Sequence, residues 1–232
     1  MTTTTLSPRS KRRWWPLLLA LAALALLASQ MPTLWRYAVA TTLSLHAQDK
    51  ARQWQTETRW TPPGQRSREP SLEDWSLASL NIEQAIAIHP TNAQLHETLA
   101  LLHINRLLWH SPQVEEARAA LERAHELLER ANQLRPMSGH TWAAQALALF
   151  GLDTDPTNTE RRAALWKAFD QAMAYGQSNG NVQQTLAQIA FARWNELSPE
   201  RQQAVRHMVA QATQSQRKRI NDIASSHGLR PF

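Results

Sequence analysis

SLEDWSLASLNIEQAIAIHP, residues 71–90, and ARAALERAHELLERANQLRP, residues 117–136, decide the fold. In the first, Ala78, Ile82, Ala85 and Pro90 stand four, three and five residues apart; Ala124, Leu128, Ala131 and Pro136 repeat that spacing in the second. Steps of three and four bring side chains onto one face of a helix. Proline then stops the helix, because it has no amide hydrogen and its ring clashes with the preceding turn. Ser71, with Asp74 three residues on, reads as an N-cap with an acidic partner. Leu165, Phe169 and Ala172 carry the same steps of four and three a third time, without the small first residue or the proline.

Working outward, the same periodicity predicts helices along most of the chain. Leu43, Ala47, Ala51 and Trp54 mark one that stops near Thr61-Pro62-Pro63-Gly64, followed by a polar loop to Pro70. After the helix of 71–90, Asn92 starts another with Leu95, Leu99, Leu102 and Leu107, ending at Trp109-His110. Ser111-Pro112 opens a third, stopped by Pro136; Trp142 to Phe150 forms a fourth, ended by Gly151. Pro156 and Thr157 open a fifth that ends near Gly176, and Val182 to Trp194 is a sixth. Leu197-Ser198-Pro199-Glu200 starts a seventh, carrying Val205, Met208, Val209 and Ile220, since proline in the first turn loses no hydrogen bond. Ala, Leu, Gln, Glu and Arg dominate the composition and favour helix. Nothing alternates as a strand would, so the soluble part is predicted to be all-α.

Short helices in hairpins, with small residues at the crossings and a terminal proline, resemble a degenerate tetratricopeptide array. The likeness runs from about Ser71 to Trp194. Leu99-Ala100, Trp142 with Ala146, and Leu186-Ala187 fall where the first helix of a unit wants its packing residues. The 46 residues from Pro90 to Pro136 exceed the usual period, which implies insertions. The resemblance implies an α-solenoid of antiparallel helix pairs over residues 71–197, following an N-terminal transmembrane helix that the sequence indicates separately. A capping helix and tail would occupy 198–232. Stacked pairs hide a common core and leave a curved surface free.

The amino terminus reads as a membrane anchor. Residues 1–13 form a basic stub with Arg9, Lys11, Arg12 and Arg13, and residues 14–36 form the span; no charge occurs from Trp14 to Trp35. Those 22 residues suffice to cross a bilayer. Trp14 and Trp15 at one end, with Trp35 and Tyr37 at the other, suit interfacial belts, and the basic cluster should stay cytoplasmic. A membrane-proximal helix and a Pro-rich loop fill 37–70. The competing reading is a cleaved signal peptide with Ala38-Val39-Ala40 as the cleavage site.

Five of the 25 basic residues precede position 41, where no acidic residue stands, leaving 20 basic against 19 acidic in the remainder. The net charge of +6 is therefore a membrane-orientation signal, and no nucleic-acid partner is expected. The absence of cysteine removes disulfides and thiol chemistry. His89, His96, His103 and His110 recur every seven residues, about 10 Å apart on a helix, which suits packing better than metal ligation at three or four. Glu115, Glu116, Glu122, Glu126 and Glu129 interleave with Arg118, Arg123 and Arg130 as a solvated face, with Glu126 and Arg130 as an i,i+4 pair. Ser138-Gly139-His140 and Ser225-Ser226-His227 lack the strained elbow of a nucleophile. Gly176 and Gly180 around Ser178-Asn179 lack phosphate-loop spacing. Trp75, Trp109, Trp142, Trp166 and Trp194 read mostly as core. Arg217-Lys218-Arg219 reads as a solvated helix end, or as a contact for an anionic partner or membrane surface. No catalytic, cofactor-binding or metal-binding residue is predicted, and no cofactor.

In plan and helix order the chain is similar to the VpsP-type accessory proteins of exopolysaccharide gene clusters. That likeness implies a non-enzymatic scaffold in the bacterial inner membrane, its domain periplasmic and its partners other envelope proteins, acting in polysaccharide synthesis or export. Two alternatives are an assembly factor that holds exported clients, and a direct carbohydrate binder or enzyme. The client-holding reading needs an apolar open groove, for which Leu101, Ile104, Leu147 and Phe191 are the candidates.

Overall fold

The computed structural model describes residues 15–60, 70–110 and 112–230, with the side chains of 46, 51–52, 55–60 and 108–110 excepted. The stub 1–13, Trp14, the loop 61–69, Ser111 and the side chains of Trp109 and His110 lie outside the described residues. Among the described residues the chain is all-helical, with no strand. The order is α1 Trp15–Trp60, α2 Leu72–Ile88, α3 Ala93–His110, α4 Val114–Leu134, α5 Gly139–Leu152, α6 Thr159–Gly176 and α7 Gly180–Ala192. A 3-10 turn at Trp194–Glu196 precedes α8 Pro199–Gln211 and α9 Gln214–Ser226.

All nine residues of the three spaced triplets are buried: Ala78, Ile82 and Ala85; Ala124, Leu128 and Ala131; Leu165, Phe169 and Ala172. The two prolines end α2 and α4 in the same way. His89 and Arg135, each just before its proline, have φ/ψ of −133/70° and −142/71° and donate their amides to Ala85 and Ala131. A residue before proline is pushed out of the α region, so the chain turns at once. Ser71 caps α2 as expected, accepting from the amide of Asp74 at 3.0 Å.

Several boundaries differ from the sequence reading, each for a local reason. α4 starts at Val114, after Gln113, so Pro112 precedes the helix. Pro156 and Thr157 also stay outside: Asp155 accepts from the Thr157 amide at 2.8 Å, closing a turn before Asn158 caps α6. α5 begins at Gly139, three residues earlier than expected, and runs through Gly151 to Leu152, because Ser138 supplies the cap. α7 spans Gly180–Ala192, capped by Asn179. The predicted seventh helix is two. Thr213 and Gln216 form a reciprocal capping box that starts α9 afresh. Arg217 caps the other side of the break, donating to the carbonyls of Val209, Ala210 and Ala212 at 3.3, 2.7 and 3.3 Å. Its guanidinium is thus spent on the helix end. On α4, Glu126 pairs with Arg123 at 2.9 Å, and Arg130 turns to Gln133, so the expected Glu126–Arg130 pair does not form.

Consecutive helices from α1 to α8 pack on one another, and α1 also touches α3, α3 touches α5, and α5 touches α7. α5 sits in the middle. Ala144, Ala148 and Leu152 enter one core with α1–α4, while Ala143, Ala146 and Leu149 enter the other with α6–α9. A helix apolar all round is a buried helix, and its alanines let neighbours approach from both sides.

α1 joins two environments. From Trp15 to Ala38 every side chain is exposed, and this is the one described helix long and apolar enough to cross a membrane. From Ala40 onward Ala40, Ser44, Ala47 and Trp54 are buried in the first core. Tyr37 meets His89 edge to face at 4.2 Å between ring centres.

Candidate functional site

Among the described residues two carboxylates are buried, and each is bound into a tie between helices. Glu97 on α3 accepts from Arg135, from the Thr141 hydroxyl at 2.8 Å and from His140 Nδ1 at 2.5 Å. It fastens α3 to the α4–α5 turn. Burial alone would raise its pKa; the contacts with His140, Thr141 and Arg135 win and hold it below the ordinary carboxylate value. Asp153, which ends α5, accepts from Arg193 and, at 3.1 Å, from Arg162 Nε. Arg193 also donates to the Asp153 carbonyl at 2.7 Å, and Glu196 stands 3.4 Å from the same guanidinium. A carboxylate at a helix C-terminus is opposed by the dipole, so the arginine that neutralises it also docks the end of α7 there. Glu97 thereby orders the α4–α5 turn against α3.

A third polar cluster opens to the surface. His125, Glu129, Asn132 and Gln133 of α4, Trp142 and Gln145 of α5, and Ala164, Lys167 and Ala168 of α6 line a groove of about 320 Å³. The two alanines leave the space. Asn132 and Gln145 are buried, and Asn132 Nδ2 donates to Gln145 Oε1 at 2.6 Å. Gln145 Nε2 stands 3.4 Å from His125 Nδ1. Burial pushes the His125 imidazole below its ordinary pKa. The Trp142 indole nitrogen is committed to the Pro136 carbonyl at 2.7 Å, so the rest of the ring offers apolar surface. Asn132 Oδ1 is buried and accepts no hydrogen bond. An orphaned acceptor costs on the order of 1–3 kcal/mol. Lys167 and Glu129 balance in charge across the groove.

The residues singled out from sequence fall elsewhere. Ile104 and Phe191 are buried in the two cores, and Leu101 and Leu147 are partly buried against them. Ile104 and Phe191 therefore serve packing, because neighbouring helices cover those faces of α3 and α7, while Leu101 and Leu147 keep part of their surface. His96 is buried and bonds the Pro90 carbonyl at 2.9 Å; His103 stands edge-on to Trp75 at 5.5 Å. Trp75 and Trp166 are buried, while Trp142 and Trp194 are partly exposed. Ser138 is the cap of α5, and Ser225 and Ser226 sit at the end of α9. Among the described residues no three His, Asp or Glu side chains converge as a metal site would require.

The groove is not legible as such in the sequence because its buried polar pair, Asn132 and Gln145, belongs to no motif. The available signal was local: Gln145 interrupts an otherwise apolar AAQALALF run, and Asn132 lies four residues after the core Leu128.

Compared with known proteins, the chain matches no family model, no curated protein and no solved structure.

Proposed function

We propose that this chain is a membrane-anchored scaffold whose helical domain is held against the bilayer and recruits other envelope proteins. The observation that carries this is the unbroken course of α1, apolar and exposed to Ala38, buried in the core from Ala40. An anchor that ends inside the core transmits position and orientation, which a flexible tether would lose. Cleavage after Ala40 would remove both the Tyr37–His89 contact and the packing of Ala40, which favours an uncleaved span.

The α1–α3, α3–α5 and α5–α7 contacts, added to those between consecutive helices, support a solenoid of antiparallel pairs of tetratricopeptide type. The basic residues before Trp14 favour a cytoplasmic amino terminus and a periplasmic domain in the inner membrane. A non-enzymatic role fits the use of Glu97 and Asp153 as ties. The likeness in plan to VpsP-type proteins directs the scaffold to machinery for polysaccharide synthesis or export. The open groove between α4, α5 and α6, with the Trp142 ring in its wall, is the docking place.

The test is photocrosslinking in intact cells from Gln133 and Lys167, with Asp222 on α9 as the reference position. Discrete envelope proteins captured from the groove, and lost with Asn132→Leu, are expected. Equal capture from all three positions, or turnover of a substrate by the purified full chain, overturns the reading.

A further inference from the structure

The α2–α3 turn lies beside α1 where the exposed apolar stretch ends. Tyr37 packs on His89, and Trp35, Arg36 and Val39 of α1 face Ala87, Ile88 and Pro90 across a groove of about 500 Å³. Its walls are apolar, and Arg36 is the one charged residue among those lining it.

Helix geometry fixes the depth of this groove. From Trp15 to Trp35 the helix rises about 30 Å, the thickness of the hydrocarbon layer. Ala40, the first buried residue of α1, stands about 7 Å further on. The headgroup layer on each side is about 5–8 Å thick. The domain therefore begins inside that layer, and the turn at 89–92 has no room to stand clear of it. Charge agrees with depth. No acidic residue occurs from Trp15 to Gln48 or from Gln84 to His96, so the surface nearest the bilayer carries Arg36 without a carboxylate in either segment.

We infer that this groove is a phospholipid headgroup site, in which Arg36 meets the lipid phosphate and Trp35, Val39, Ile88 and Pro90 meet the glycerol and the first acyl carbons. The site rests on the reading that α1 spans the bilayer. It adds that the domain itself touches lipid, through the α2–α3 turn, where His89 stands 52 positions after Tyr37. Arginine suits a phosphate because its guanidinium forks onto two oxygens, and tryptophan suits the interfacial depth.

The chain contains no cysteine, so single cysteines can be labelled without background. The full-length protein carries a fluorophore at Leu24→Cys, Thr91→Cys or Ser225→Cys, all at exposed positions. It is placed in phosphatidylcholine nanodiscs containing phosphatidylcholine spin-labelled on the headgroup or on the acyl chain. The expected result is quenching of position 91 by the headgroup label, of position 24 by the acyl label, and of position 225 by neither. Quenching at 24 with none at 91 overturns the lipid site and leaves the anchor standing; no quenching at 24 overturns the anchor and the site with it. In a second measurement, Arg36→Gln should retain about fivefold less phosphatidylglycerol on extraction from mixed vesicles. Equal retention overturns the phosphate contact.

Discussion

A methyl group built on Gly139 would stand 2.5 Å from the α-carbon of Gly176. The start of α5 and the end of α6 thus touch backbone to backbone, and no side chain at 139 has anywhere to go. Gly151, inside α5, presents a milder case, since its methyl would meet only the Leu121 side-chain tip at 2.8 Å. Gly139→Ala should cost about 1–3 kcal/mol or more, because the helices must separate. Gly151→Ala should cost less, as Leu121 can turn aside and alanine favours the helix. Urea unfolding of the two variants checks the order; equal losses would sink the close-approach account.

Burial at 78, 82 and 85, at 124, 128 and 131, and at 165, 169 and 172 was legible from spacing alone, because a helix that hides one face writes its period into the chain. Ser71 was legible for a similar reason, since capping is a contact between neighbours in sequence. The break at Ala212–Thr213 is signalled by the Thr213–Gln216 pair alone: the polar run 213–219 holds no proline or glycine to stop a helix, and Val209 and Ile220 read as one helix. Ile104 and Phe191 lie inside the cores, because a helical stripe cannot say which of two faces a later helix will cover; Leu101 and Leu147 keep part of their surface. The ties at Glu97 and Asp153 join residues about 40 positions apart, and no local pattern encodes such pairs.

Glu97 offers a second test. Glu97→Gln keeps the shape and removes the charge that Arg135 and His140 share. The expected loss near pH 7 is about 2 kcal/mol, typical of hydrogen bonds to a buried charged group. Its folded-state pKa lies below the ordinary 4.5, so the stabilisation is present above that value and is lost as pH falls through the folded one. Denaturant midpoints of the parent and the variant should accordingly converge in acid. A gap that stays constant down to pH 3 contradicts the assignment.

Arg193 and Asp153 call for a double-mutant cycle. Arg193→Met strands a carboxylate whose side chain is fully buried, with Arg162 as the remaining cation, and should cost about 3 kcal/mol. Asp153→Asn combined with Arg193→Met removes the stranded charge and should recover part of that loss. Hydrogen exchange should show the deficit at the end of α7, which the tie docks onto α5. Strictly additive losses would mean that the two side chains do not depend on each other.

His103 should add to the acid sensitivity that Glu97 confers. Burial, with Arg123 and Arg106 nearby, pushes its pKa down to about 4, against 6.5 when unfolded, and both ring nitrogens lack partners. The unfolded chain therefore binds the proton more readily than the folded one. Stability is complete above pH 6.5 and falls as pH drops from there towards 4, by at most about 3 kcal/mol from this residue. His103→Phe keeps an aromatic ring against Trp75 and has no proton to gain. It should match or exceed the parent at pH 7 and lose less between pH 6.5 and 4.5. Some slope will persist, because burial lowers His125 as well and its effect has the same sign. Thermal unfolding across that range decides it: an unchanged slope in the variant means that protonation of His103 is not what acid exploits.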